Sequence, residues 1–104
     1  MISVIAYGTI GRHSPELIEG ERSVFATFSL RCEQRVRGRA TFLLVRVDGP
    51  RAARVVQDFR RDDRVIVNGE LTTFTQNGRT TLQLRANSIA PVLEPSTEED
   101  LDDD

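Results

Sequence analysis

Between residues 41 and 74 the chain alternates, breaks, takes up a helical spacing, breaks, and alternates again. Leu43, Val45 and Val47 alternate with Phe42, Leu44, Arg46 and Asp48, which predicts a half-buried strand. Gly49-Pro50 punctuates it. Pro50 suits the first turn of a helix, where its missing N–H costs nothing. Ala52, Val55, Val56 and Phe59 then share one helical stripe, expected to plug a barrel end. Arg60-Arg61-Asp62-Asp63 ends the stripe as a turn. Val65, Val67, Gly69 and Leu71, set against Ile66, Asn68, Glu70 and Thr72, predict a further strand.

The flanks read as strands that this unit can pair with. Residues 2–10 are β-branched and aromatic, with Gly8 inside, the mark of a bulge or sharp bend. Residues 12–21 read as a turn-rich connection. In residues 23–31, Val24, Ala26, Phe28 and Leu30 take one face, and Phe25, Thr27, Ser29 and Arg31 the other. Residues 32–40 read as a hairpin loop around Gly38. Asn77-Gly78 is the strongest short hairpin signal. Residues 80–89 form the last strand, and Pro91 and Pro95 end the folded part. The order is strand, strand, strand, helix, strand, strand. That is the plan of an OB-fold: an all-β, five-stranded Greek-key barrel with one short helix between strands 3 and 4.

Charge divides the chain. All fourteen basic residues are arginines. Seven of the sixteen acids lie from Glu94 onward, where there is no base, leaving nine acids against fourteen arginines in residues 1–93. The expected organisation is therefore a basic barrel, 1–93, and an acidic, disordered tail, 94–104. The tail has two open readings: a solubilising terminus, or a polyanion that competes with nucleic acid for the arginines. A chain of 104 residues buries only a modest core. No apolar run reaches the length of a membrane span, and MISVIAYGTI lacks the basic lead of a signal peptide. With one cysteine, Cys32, and no internal disulfide possible, a cytoplasmic, nucleoid-associated protein is expected.

Six short stretches, in order and at nearly the right spacing, resemble the bacterial single-stranded DNA-binding protein family. They are Gly8-Thr-Ile-Gly11, Ser14-Pro-Glu-Leu17, Val24-Phe-Ala-Thr-Phe-Ser-Leu30, residues 41–49 with Arg51-Ala-Ala, Arg64-Val-Ile-Val-Asn-Gly-Glu-Leu71, and Asn77-Gly78. The resemblance covers about residues 4–93. It implies a homo-oligomer, a tetramer rather than a dimer, that wraps single-stranded DNA with little sequence preference. Replication or repair proteins would be further partners. Primosomal replication protein B is a more distant relative. In the family's terms Phe42 stands at a stacking tryptophan and Asp48 at a stacking phenylalanine. Gln76 replaces another tryptophan, with Phe74 two residues earlier on the same face. The tail ends Asp-Asp-Asp104, without the family's apolar tip.

Catalysis has no constellation to stand on, so the chain is expected not to be an enzyme and to need no cofactor. His13 reads as a turn histidine, and Cys32 as a half-buried strand cysteine without a second thiol for zinc. A sequence-tolerant single-strand site needs a positive groove and flat faces for bases. The candidates are Arg31, Arg35, Arg37, Arg39, Arg46 and Arg79 for phosphates, and Phe42 and Phe74 for stacking. An arginine-rich loop is also what an ordinary solvated loop looks like, and an outward Phe is often covered by a partner subunit. The competing function is an OB-fold protein-interaction or primosome-type assembly subunit with weak or lost DNA binding.

Overall fold

The computed structural model describes residues 1–33 and 40–93. The elements are β1 (Ile2–Glu19), β2 (Val24–Glu33), β3 (Ala40–Asp48), α1 (Arg51–Asp58), β4 (Arg64–Gln76) and β5 (Arg79–Pro91). The strands close a barrel in the order β1-β2-β3-β5-β4. Every pair is antiparallel except β3 with β5. This is the OB-fold, with α1 between β3 and β4 as expected. The tail, 94–104, and the loop carrying Arg35, Arg37 and Arg39 lie outside the described residues.

β1 serves two partners. Residues 2–9 pair with β4, and residues 9–11 and 16–19 pair with β2. Thr9 has a partner on each side, Arg64 and Arg31. The strand therefore continues to Glu19, which corrects the reading of residues 12–21 as a turn-rich connection. The chain reverses only after Glu19, where the Gly20 N–H donates to the Ser23 carbonyl at 2.8 Å. The turn-forming residues Gly11, Ser14 and Pro15 belong instead to a β-bulge between Gly11 and Glu16. Proline is tolerated there because a bulge leaves backbone donors unused.

The core follows the alternation. Ile10, Leu30, Val45, Val65, Val67 and Leu84 are fully buried, each contributing about 1.5–3 kcal/mol relative to exposure. Phe28 fills the centre beside them. α1 starts at Pro50, which caps it with φ −62°, and ends where the Phe59 N–H bonds the Val55 carbonyl. Its stripe is narrower than expected: Ala52 and Val55 are buried, while Val56 and Phe59 are half-buried. The helix packs on β1, β2 and β3, standing off β4 and β5. Val24 shares the strand face of the buried Ala26, Phe28 and Leu30 but is exposed, at the first residue of β2.

Two glycines are required by close approach. A Cβ on Gly8 would collide with the carbonyl of Arg31, just where β1 changes partners. A Cβ on Gly69 would collide with the Arg85 carbonyl and stand 2.9 Å from the Ala86 Cα, beside the β4–β5 irregularity at Asn68/Gly69. At the hairpin tip Asn77 (φ 53°) and Gly78 (φ 77°) both take left-handed geometry, the two-residue turn that suits strand twist. Gly69→Ala is expected to lower stability by about 1–3 kcal/mol, the usual cost of overpacking. Urea unfolding reads this as a lower midpoint at unchanged slope. An unchanged midpoint would show that the β4–β5 crossing relaxes freely.

Candidate nucleic-acid interface

The outward residues of β2 and β3 form rows because paired residues of neighbouring strands share a face. Phe25 lies opposite Asp48, Thr27 opposite Arg46, Ser29 opposite Leu44, and Arg31 opposite Phe42. The parallel β3–β5 register continues two rows, placing Gln83 beside Leu44 and Arg85 beside Arg46. β4 completes them with Thr72 and Glu70. The result is one wall that spans four strands.

Phe42 is 49% exposed on this wall. Arg12, from the β1 bulge, holds its guanidinium over that ring, 6.0 Å from the centroid. Arg12 has φ 63°, a left-handed conformation that costs of order 1–3 kcal/mol for a non-glycine residue. Phe74, 41% exposed, sits opposite Thr81 on the β4–β5 hairpin, and Arg79, paired with Gln76, shares its face nearer the tip. The structure thus gathers Arg31, Phe42 and Arg46 on the β2–β3 wall. Phe74 and Arg79 occupy the hairpin arm that extends beyond the β3–β5 pairing.

Asp48 is not an isolated anion on the wall. Arg46 Nε donates to its Oδ1 at 2.7 Å, and an Arg85 terminal nitrogen donates to its Oδ2 at 3.2 Å. The Arg46 guanidinium also stacks 3.9 Å from the centroid of the Phe25 ring. Flat stacking and a side-on bond to a carboxylate are what a planar guanidinium permits and an ammonium does not. The Arg46 hydrogen bond, opposed by partial desolvation and helped by Arg85, holds the Asp48 carboxyl below the usual aspartate range.

Sequence reasoning missed Arg12, Arg85 and the role of Phe25. The alternation of β2 put Phe25 outward, but its cation partner lies on the neighbouring strand. Arg85 reaches Asp48 only through the parallel β3–β5 register. Arg12 was hidden by the bulge. His13 is exposed in that bulge. Cys32 is half-buried, and desolvation pushes its thiol pKa up, away from reactivity. An open groove of about 490 Å³ separates α1 from β5 and is lined by Arg51, Arg54, Val55, Phe59 and Ile89 among others. Arg51 donates to the Asn87 carbonyl across it. Among the described residues no helix is long and apolar enough to cross a membrane.

No family model matches the chain, and no curated protein matches it. Solved structures do. The small single-stranded DNA-binding protein from Streptomyces coelicolor aligns with a TM-score of 0.76 at 22% identity, over 88% of this chain and 93% of its own. The fold is that of bacterial single-stranded DNA-binding proteins. The second single-stranded DNA-binding protein of Mycobacterium smegmatis aligns at 0.70 and 21% identity, over 86% of each chain. The SSB domain of a Synechococcus protein aligns at 0.71 and 20% identity, over 86% of this chain and 93% of that one.

The Asp48 clamp has a measurable consequence. A carboxylate whose native pKa is depressed contributes stability that is present above its unfolded pKa and lost as pH falls through its native pKa. The Asp48 side-chain carbon, followed by NMR, is expected to titrate below the ordinary aspartate midpoint. In Arg46→Ala that midpoint should move up. A midpoint at or above the ordinary value in the unaltered protein would mean that the clamp does not persist in solution.

Proposed function

We propose that the chain binds single-stranded DNA with little sequence preference, through the outward wall of β2, β3 and β5. The observation that carries this reading is Phe42: a half-exposed aromatic face on a barrel wall, with Arg12 over its ring and Arg31 opposite it, and Arg46 and Arg85 two rows further along the same wall. Bases stack on Phe42 and, along the hairpin arm, on Phe74. Phosphates meet Arg31, Arg46 and Arg79, together with Arg35, Arg37 and Arg39 of the loop after β2. Stacking is sequence-tolerant because every base has a π-face. Each phosphate neutralised releases counterions, so affinity falls with salt. Arg46 and Arg85 give up Asp48 when a phosphate takes its place, which lowers the net gain at that point of the path. Coating and protection of DNA exposed in replication, recombination or repair is the role this chemistry suits, and it needs no catalytic step. The cytoplasmic, nucleoid-associated setting follows from that role.

We further propose that the active form is a homo-oligomer, with a tetramer favoured over a dimer. β1 pairs with β4 over residues 2–9. Ile2 and Ile5 of that stretch are 60% and 73% exposed. Apolar side chains exposed together on one strand are what a second copy of the chain would cover. Joining several walls raises affinity by effective concentration. The acidic tail, 94–104, keeps both roles proposed for it, solubility or competition with DNA. The alternative function, an assembly subunit with weak or lost DNA binding, is favoured by the α1–β5 groove, an open concavity of about 490 Å³ that lies outside the wall's rows.

Titration of labelled oligo-dT across salt concentrations decides between them. The DNA-binding reading predicts that the logarithm of the binding constant falls linearly with the logarithm of salt concentration. Phe42→Ala should weaken binding by about 1–3 kcal/mol, the worth of one stacked base. No binding at low salt would overturn this reading and leave the assembly subunit.

A further inference from the structure

We infer that the β1 bulge builds a pocket on the wall for one nucleobase bearing an exocyclic amine, cytosine above all, with Glu16 as the acceptor. This rests on the wall being a single-strand site. Gly11 pairs with Ser29 and Glu16 with Thr27, so residues 12–15 face Phe28 alone. Four residues opposite one must lift off the sheet. The hollow they leave is about 160 Å³, with Thr27, Ser29 and Leu44 as its floor and Arg12, His13 and Glu16 at its rim. That is room for one flat ring and its substituents.

The pocket is fixed before any ligand arrives. The Arg61 N–H donates to Ser14 Oγ at 3.0 Å. The Asp62 N–H donates to the Ile10 carbonyl at 2.7 Å, and the Ile10 N–H to the Asp63 carbonyl at 2.9 Å. Pro15 is buried. The bulge is thus tied to the turn after α1, so a base entering the hollow pays little to order it.

Its place on the wall suits a DNA strand. Leu44 and Phe42 are two residues apart on one strand and share a face, a separation of about 6.6 Å. A base stacked on Phe42 therefore leaves its neighbour over Leu44, at the pocket mouth. Glu16 lies on the face of its partner Thr27. An ionised carboxylate only accepts hydrogen bonds. It pairs with the cytosine N4 amine and opposes the thymine O4, another acceptor. The Thr27 and Ser29 hydroxyls donate or accept and serve the remaining edge. The small volume favours a pyrimidine over a purine. The wall remains sequence-tolerant elsewhere, so the preference is confined to one nucleotide in each bound stretch.

The test compares oligo-dC, oligo-dT and an oligomer of N4,N4-dimethyl-dC of equal length, by fluorescence anisotropy on the full chain at neutral pH and one salt concentration. Oligo-dC is expected to bind about tenfold more tightly than oligo-dT, the discrimination of one good polar base contact. The dimethylated oligomer should bind like oligo-dT. Glu16→Ala should bring oligo-dC down to the oligo-dT level while oligo-dT binds no more weakly than before. Equal affinity for dC and dT in the unaltered protein overturns the pocket and leaves the wall standing. A preference that survives Glu16→Ala or dimethylation overturns the role of Glu16. Failure of every oligomer to bind overturns the wall itself.

Discussion

The double use of β1 is the constraint on which the rest of the structure depends. One strand must pair with β4 at its start and with β2 at its end, and the exchange happens at Thr9. No side chain fits where β1 crosses the Arg31 carbonyl, hence Gly8. The strand must then stay in register with β2 while curving around the barrel. It does so by a four-residue bulge. That bulge carries Arg12 over Phe42 and opens the hollow above Thr27 and Ser29. Closure of the barrel and shaping of the wall are one event in the sequence, set within residues 8–16.

Electrostatics on the wall follows from the same register. β3 and β5 run parallel for three residue pairs, which brings Arg46 and Arg85 together around Asp48. Without Asp48 the two guanidinium groups would repel one another across a partly exposed surface. With it they are held flat, one of them on Phe25. Asp48 is the shared acceptor of both guanidinium groups, so it sets them side by side on the wall.

Much of the fold was legible in the residues, and for physical reasons. Alternation placed β3 and β4, the helical stripe placed α1, and Asn77-Gly78 placed the last hairpin. These signals are local. What misled was equally specific. Gly11, Ser14 and Pro15 have turn chemistry, yet they sit in a bulge, because a bulge and a turn ask the same of the backbone. Val24 keeps the period of the core but is exposed, at the first residue of β2. On the wall, the outward positions of Phe42, Arg46, Phe25 and Phe74 could be read from period two. Their partners could not. The Asp48–Arg85 contact spans 37 residues, and Arg12 meets Phe42 only because β1 bends. Contacts across strands are set by register, which single-strand periodicity does not contain.

The most direct test of the wall as the DNA site is a map of backbone amide shifts during addition of a short oligo-dT at low salt. Residues Thr27 to Arg31, Phe42 to Arg46 and Gln83 to Arg85 should move first and furthest, with Phe74 following as longer oligomers are used. Shifts confined to the α1–β5 groove, around Arg51, Val55 and Ile89, with the wall unmoved, would contradict the account.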